Sequence, residues 1–401
     1  METVDRSNAK NALMIGTLCS LTYLGVYFAR NILSAVSPQM IDGGIFTTEL
    51  IGSLSSLFFM SYAVGQLING AIGDRIKAKY MISIGLLLAG LCCYMFTLVY
   101  GNISIIKVVY AAVGFGLSMV YAPMVKTVAE NTEPDYATRC SLGFTFASFF
   151  GSPVAGFAAS FLLWQSVFYA SSAALIIMGT IVFTVFFAFE KRGVIKYRTY
   201  SRDLHQKRGI AVLIKHRIIK FTFVSIITGV VRTTVVFWMP TYISQRLGFS
   251  AVASAKIFTI ASLAISVTPF IAVFIYEKLK RNMDLTLFLA FGSAVVWFIP
   301  VFFIEYPMLN IIFLILAIMS SNSAGTMLWS RYCPSLRDTG MVSTATGYLD
   351  FMSYMAASVS STLFANAVSV IGWKNLILIW MLLMLLGVLI CIPINRKTAD
   401  I

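Results

Sequence analysis

Charged side chains are scarce in this sequence, which has 401 residues and a mean hydropathy of +0.85. Only 11% of its residues are charged and 59% are hydrophobic, whereas soluble domains carry about 25% charged residues. This composition excludes a soluble globular protein. Histidine is also rare, with two residues in the chain. Runs of metal ligands, a phosphate-binding glycine loop and a Gly-x-Ser-x-Gly motif are all missing. The sequence therefore predicts no enzyme, no metal site and no cofactor.

What the sequence has instead is a series of long apolar segments. A helix needs about 20 apolar residues to cross a hydrocarbon layer of ~30 Å. The predicted transmembrane helices cover twelve segments, at 11–36, 50–73, 80–100, 104–125, 139–162, 166–189, 219–243, 252–276, 284–303, 307–330, 341–367 and 374–394. The first segment is too long for a cleavable signal peptide and is predicted to be retained. We therefore expect an all-α integral membrane protein.

The basic residues predict how the chain is oriented. Of the 30 Lys and Arg residues, four lie in the predicted outer loops, namely Lys107, Arg246, Lys256 and Lys374. Arg30 and Arg232 lie inside predicted helices, and the others lie in the inner loops and the two terminal segments. Basic residues near helix ends stay on the cytoplasmic side of a membrane. Both termini are thus predicted to be cytoplasmic, in the cell membrane, and the net charge of +14 reflects topology rather than nucleic-acid binding.

A basic segment over residues 190–218 divides the chain into two halves, 1–189 and 219–401, with six predicted helices each. The halves match at an offset of 202, where Arg30-x7-Pro38-x2-Ile41 falls on Arg232-x7-Pro240-x2-Ile243. This match indicates a duplication. Two six-helix halves related by a pseudo-two-fold axis are the architecture of the major facilitator superfamily, whose binding site lies between the halves.

The loop after the second helix has a further feature of that superfamily. Gly70-x3-Asp74-Arg75-x3-Lys79 resembles the superfamily's loop motif, a glycine followed by Asp-Arg and basic residues. Gly70 would allow close helix approach, and Asp74, Arg75 and Lys79 would form inner-face ion pairs that break when the halves rock. We expect these four residues to act in gating. An ordinary basic turn is the alternative interpretation.

Arg30 and Arg232 are the centre of the predicted binding site. Arg232 lies about 18 Å along its helix from Lys220, near the bilayer centre, and the duplication places Arg30 at a similar depth. An arginine at that depth costs about 2.5–3.5 kcal/mol, so it is expected to face a polar path. Two guanidinium groups could hold one oxyanion by paired hydrogen bonds. Structural pairing with Asp350, the one acid well inside a span, is the alternative.

Side chains on the same helix faces extend this predicted site. The other predicted substrate contacts are Tyr23 and Tyr27 in the first helix, Tyr62 and Gln66 in the second, Trp238 in the seventh, and Asp350 and Tyr354 in the eleventh. Asp350 leaves two mechanisms open. If it stays ionised beside an arginine, exchange of anions is favoured, and if it takes up a proton with the substrate, symport results.

Three segments resemble the organophosphate:phosphate antiporter family. They are Tyr27-x2-Arg30, Arg232 with the following Trp238-x-Pro240-Thr241-Tyr242, and Ala345-Thr346-Gly347-Tyr348 leading to Tyr354. The resemblance implies exchange of an organic phosphate for inorganic phosphate by a rocker-switch, with the two arginines holding the phosphoryl group. Bacterial members carry a lysine where Gln66 stands here, which implies a less charged head group or a different coupling.

The sequence therefore predicts a monomeric secondary transporter of a small organic anion in the lipid bilayer. Inorganic phosphate or a proton is the expected coupling species. A proton-coupled symporter of an organic carboxylate and a transporter-like membrane sensor of the same ligand remain as alternatives.

Overall fold

The computed structural model describes residues 2–73, 76–196, 210–336 and 342–393. In these ranges the chain is helical apart from short turns, and they contain no strand. Ten helices in the described ranges are long and apolar enough to cross a membrane. One of the ten contains two predicted spans, and Pro134–Phe161 supplies the twelfth. The predicted all-α fold with twelve transmembrane helices is therefore confirmed.

The first six transmembrane helices follow the predicted segments closely. They are α1 Glu2–Asp42, α2 Thr48–Gly73, α3 Ala78–Val99, α4 Ile103–Ser118 continued by Tyr121–Asn131, α5 Pro134–Phe161 and α6 Trp164–Lys191. Local sequence accounts for two of the starts. The side chain of Asn102 accepts hydrogen bonds from the backbone N–H groups of Ser104 and Ile105 and so caps α4. Pro134 begins α5, where its missing N–H costs nothing.

The second six helices contain more irregular turns. They are α7 Ile218–Gln245, α8 Ala251–Ser266 continued by Thr268–Lys278, α9 Met283–Phe303, α10 Pro307–Tyr332, α11 342–371 and α12 373–390. Gly372 separates α11 from α12, because its φ of 74° suits glycine and interrupts the helix. A π-helical turn, Val230–Val235, lies inside α7, and a second, Leu328–Tyr332, ends α10.

The helices group into two compact units. Unit 1 comprises Met1–Gln206 and Gly248–Leu263, and unit 2 comprises Lys207–Leu247 and Ala264–Ile401. The first part of α8 thus belongs to unit 1, where a β-carbon at Gly156 of α5 would lie 2.5 Å from the hydroxyl of Thr259. Within the predicted linker, Ile210–Lys215 is helical, and residues 197–209 lie outside the described part. The domain bounds inferred from the sequence stay a prediction.

The two helices that carry Arg30 and Arg232 each pack closely on one neighbour in their own unit. In unit 1, α1 packs on α5, and a β-carbon at Gly151 would collide with the backbone and Cβ of Tyr27. In unit 2, α7 packs on α11, and a β-carbon at Gly229 would lie 2.6 Å from the carbonyl oxygen of Ser353. Small residues allow helix backbones to approach in this way in a membrane. Both arginine-bearing helices are therefore held firmly within their units.

Candidate functional site

Arg30 lies in the interior of unit 1 and is 9% exposed. Its guanidinium carbon lies 5.2 Å from the ring centroid of Tyr27 on α1, and 5.5 Å from those of Phe59 and Tyr62 on α2. Aromatic faces attract cations electrostatically at such distances. The hydrogen-bond donors of a guanidinium group lie in its plane. The three rings therefore stabilise the positive charge of Arg30. Contacts with ring faces do not themselves use the in-plane hydrogen-bond donors.

A cluster of aromatic rings supports Tyr27. The ring centroid of Tyr23 lies 4.9 Å from that of Tyr27 and 5.2 Å from that of Tyr121 on α4, and the latter two rings are stacked. Phe144 on α5 completes the cluster at 6.3 Å from Tyr23. The structure thus brings together the predicted residues Tyr23 and Tyr27 near Arg30.

The two predicted contacts on α2 have different surroundings. Tyr62 is 2% exposed and stacks on Phe58 with a centroid distance of 6.2 Å. Gln66 lies one helical turn further along α2 and is partly exposed. Tyr62 is therefore one of the rings packed around Arg30, whereas the side chain of Gln66 is partly accessible.

Arg232 lies in the π-helical turn of α7 and is partly exposed. Its guanidinium carbon lies 5.9 Å from the ring centroid of Trp329 on α10 and 6.0 Å from that of Tyr354 on α11. Arg232 is thus surrounded by aromatic rings of its own unit, as Arg30 is in unit 1. The structure places the predicted residues Arg232 and Tyr354 together.

The other predicted residues of unit 2 differ in accessibility. Asp350 lies on α11 one helical turn before Tyr354, on the same face, and is partly exposed. Trp238 is fully buried, packs against Phe237, and its indole nitrogen has no hydrogen-bond partner within the described ranges. Asp350 is therefore placed near the arginine's aromatic neighbour, whereas Trp238 lies in the core of unit 2.

The predicted gating motif is described only in part. Asp74 and Arg75 lie outside the described residues, and Gly70 lies near the end of α2. Lys79, at the start of α3, is 3% exposed and forms an ion pair with Glu190 at the end of α6. Lys77 pairs with the same carboxylate. Within unit 1, Glu190 thus links the loop motif to the last turn of α6.

Unit 2 has two similar ion clusters at the ends of its helices. Glu277 pairs with Arg281 at 2.8 Å and with Arg331 at 3.1 Å. Its hydrogen bond to Arg281 raises the pKa of that arginine. Asp284 pairs with Arg217 and Lys220, both at 2.9 Å. Each of these acids therefore binds two basic side chains.

Sequence reasoning missed four aromatic residues of the site, Phe59, Tyr121, Phe144 and Trp329. Phe59 precedes Tyr62 by three residues on α2, and this helical spacing could have identified it. Tyr121 and Trp329 lie on α4 and α10, and no motif or repeat in the sequence marks them. In the part of the chain that the structure describes, no group of three or more His, Cys, Asp or Glu side chains could hold a metal ion.

Comparison with known proteins identifies a family and several relatives. The family model of the Major Facilitator Superfamily matches residues 19–361. The membrane sensor protein UhpC of Salmonella typhimurium is 36% identical over 76 residues, which cover 19% of this chain and 17% of that protein. A glycerol-3-phosphate transporter of Haemophilus influenzae is 21% identical over 403 residues, covering 88% of this chain and 83% of its own.

One further relative and one solved structure complete the comparison. The glucose-6-phosphate exchanger SLC37A2 of Homo sapiens is 40% identical over 52 residues, covering 13% of this chain and 10% of that protein. The chain matches a bacterial homologue of the human lysosomal transporter Spinster with a TM-score of 0.76 and 11% identity. That match covers 95% of this chain and 96% of the other. At this identity the likeness shows the fold alone.

Proposed function

Because this chain belongs to the Major Facilitator Superfamily and is a multi-pass membrane transporter rather than an enzyme, we propose that it exchanges an organic phosphate ester for inorganic phosphate. Arg30 and Arg232 hold the anionic head group in this proposal, one from each half of the chain. The names of the relatives, a glycerol-3-phosphate transporter and a glucose-6-phosphate exchanger, support this substrate class. We further propose that the protein works as a monomer in the cell membrane with both termini cytoplasmic.

The shared setting of the two arginines carries this proposal. Both occupy the same repeat position, and the guanidinium carbon of each lies between 5.2 and 6.0 Å from aromatic rings of its own unit. Aromatic rings stabilise each cation, of which Arg30 is buried and Arg232 is partly exposed. The in-plane donors of a guanidinium group suit a planar or tetrahedral oxyanion. Lysine would offer a point charge without this fork, so a strict need for arginine is expected.

Charge compensation supports exchange as the mode of transport. Arg30, Arg232 and an ionised Asp350 would leave one net positive charge in an empty site. Closing a site around uncompensated charge is costly because the charge loses water. A bound anion cancels that charge, so the protein would switch between inward and outward states mainly when loaded. Gating by Gly70, Asp74, Arg75 and Lys79 stays a prediction, because the ion pair of Lys79 with Glu190 joins two helices of the same unit.

Two other functions remain as alternatives within the same fold. If Asp350 takes up a proton with the substrate, the protein would be a proton-coupled symporter of an organic carboxylate. A sensor that binds the same ligand without net transport has support from the similarity to the membrane sensor protein UhpC. The three functions differ in what they move across a membrane.

Counterflow in proteoliposomes separates these functions. Vesicles with purified protein are loaded with inorganic phosphate, and uptake of labelled phosphate, glycerol 3-phosphate or glucose 6-phosphate is measured with and without a pH gradient. The proposal expects uptake that requires internal phosphate and does not require the gradient. Uptake driven by the pH gradient into phosphate-free vesicles would favour the symporter. Binding without any uptake would favour the sensor.

A further inference from the structure

We infer that the π-helical turn Leu328–Tyr332 of α10 belongs to the anion site, with Trp329 as a positioning residue that holds Arg232 ready for the head group. This inference rests on the proposed function. It assigns a role to a part of the chain that no sequence motif marks. Trp329 acts on the anion through Arg232 and not by direct contact.

The first observation is the location of this pair of residues. Arg232 lies in the π-helical turn Val230–Val235 of α7, and Trp329 lies in the π-helical turn of α10. Their contact, 5.9 Å from guanidinium carbon to ring centroid, therefore joins two irregular turns. A π-helical turn forgoes regular α-helical hydrogen bonding, and such turns occur frequently at functional sites. The contact between two such turns at Arg232 therefore points to a functional site.

The second observation is that the C-terminal end of this turn of α10 is held by contacts with neighbouring helices. Tyr332 stacks on Phe221 of α7 with a centroid distance of 3.5 Å, and its hydroxyl donates to the carbonyl oxygen of His216 at 3.0 Å. Arg331, the preceding residue, pairs with Glu277 at 3.1 Å. Both residues lie within three positions after Trp329. They hold the backbone of the turn in place, so the indole ring of Trp329 has a fixed position next to the guanidinium group of Arg232.

The fixed position of the Trp329 ring has a physical consequence for anion binding. Arginine has a long side chain with several rotatable bonds, and ordering it on binding costs free energy. An indole, the aromatic group with the strongest attraction for cations, keeps the guanidinium group in one place before the anion arrives. A cation–π contact does not itself use the N–H donors, which lie in the plane of a guanidinium group. Trp329 should therefore raise affinity for any oxyanion at this site.

Inorganic phosphate distinguishes this role from stacking on a substrate, since phosphate has no carbon skeleton that could stack. The experiment measures phosphate affinity of the full-length protein in detergent for the wild type, Trp329→Leu and Trp329→Phe. We expect Trp329→Leu to weaken phosphate binding about twofold to tenfold, because a partly exposed cation–π contact is lost. Trp329→Phe should restore most of that loss.

Trp297 provides the matched control. It lies on α9, stacks on Phe313 of α10 with a centroid distance of 5.9 Å, and is partly exposed, as Trp329 is. Trp297→Leu should leave phosphate affinity unchanged. In a second measurement, saturating phosphate should change the tryptophan emission of the wild type and of Trp297→Phe, and this change should vanish in Trp329→Phe. The emission test holds even if Trp329→Leu fails to fold.

The outcomes separate this inference from the function on which it rests. A wild-type protein that binds no phosphate would overturn the proposed function and this inference together. Phosphate binding by the wild type that Trp329→Leu leaves unchanged would overturn the inference alone, as would an equal loss in Trp329→Phe and Trp329→Leu. An effect confined to phosphate esters would assign Trp329 to substrate stacking instead. Phosphate binding with no emission change would also overturn the inference.

Discussion

A cation inside a membrane protein has lost water and needs other partners in its place. Arg30 illustrates one solution, because it is 9% exposed and has three aromatic rings around its guanidinium group. Cation–π contacts contribute about 0.5–2 kcal/mol each, more where water is excluded. They offset part of the desolvation cost without occupying the in-plane donors. At the scale of single residues, aromatic rings thus stabilise a buried arginine.

A buried asparagine in unit 2 gives a prediction about stability. Asn310 is 3% exposed, accepts from the hydroxyl of Tyr242 at 2.6 Å and donates to the carbonyl oxygens of Val301 and Ile304, both at 2.8 Å. Asn310→Leu removes all three bonds and leaves buried polar groups unsatisfied, at about 1–3 kcal/mol for each group. We expect a clearly lower midpoint of thermal unfolding, measured on the purified protein.

The control for this change is Asn375, an exposed residue whose side chain bonds to the carbonyl oxygen of Ile371. Asn375→Leu should leave the midpoint almost unchanged. Equal midpoints for Asn310→Leu and the wild type would refute the structural role given to Asn310.

Single residues of the site differ in how far the sequence predicted them. Arg30 and Arg232 could be identified because a permanent charge in an apolar segment is costly and therefore informative. Trp329 could not, since apolar spans are rich in aromatic residues and the chain has 6 Trp and 32 Phe. Which of these rings touches an arginine depends on packing between helices far apart in sequence. The same limit applies to Glu190, whose pairing with Lys79 joins α6 to α3.

At the scale of helices, apolar length predicted all twelve spans, but irregular turns were not predicted. The π-helical turns in α7 and α10 and the interruption of α4 between Ser118 and Tyr121 are examples. Hydropathy shows which residues are apolar. It does not show which carbonyl oxygen accepts the hydrogen bond of each backbone N–H group. Such turns depend on tertiary packing, and one of them, in α7, contains Arg232. The irregular turns near the candidate site could therefore not be predicted from the sequence.

The close packing of the arginine-bearing helices gives a prediction at this scale. Gly151→Ala should force α5 away from α1 at Tyr27, and Gly229→Ala should do the same to α7 and α11 at Ser353. Overpacking of this kind costs about 1–3 kcal/mol. Because Tyr27 and α7 position the two arginines, both variants should lower the unfolding midpoint and weaken phosphate binding.

Gly25 on α1 and Gly292 on α9 are the matched controls, since a β-carbon at either position would meet no atom of the described residues within 4 Å. Gly25→Ala and Gly292→Ala should behave as the wild type in both assays. If the four alanine variants cannot be told apart, the close contacts at Gly151 and Gly229 do not position the arginines.

For the whole molecule, the distribution of charge is the dominant feature. Most of the 30 basic residues lie in segments predicted to face the cytoplasm. Part of this charge is compensated, since Glu190, Glu277 and Asp284 each pair with two basic side chains. These clusters tie helix ends together within each unit. The orientation in the membrane follows from the basic residues and stays a prediction.

Labelling with a membrane-impermeant thiol reagent tests this orientation. Lys374, at the start of α12, and Lys280, in the loop after α8, are exposed and are predicted to face opposite sides of the membrane. Of the six free cysteines, five are buried and Cys92 is partly exposed, so Cys92→Ala provides the background. Lys374→Cys should react in intact cells, and Lys280→Cys should react only after permeabilisation. The opposite pattern would reverse the predicted topology.

The most direct measurement of the central claim, that Arg30 and Arg232 hold one anion together, is a double-mutant cycle on phosphate affinity. Calorimetric titration would compare the wild type, Arg30→Gln, Arg232→Gln and the double variant. We expect each single change to weaken binding at least about tenfold, because hydrogen bonds between charged partners are lost. The double variant should bind only slightly more weakly than either single variant, as for residues that share one ligand. Unchanged affinity in either single variant, or losses that multiply as if the two sites were independent, would contradict a shared anion site.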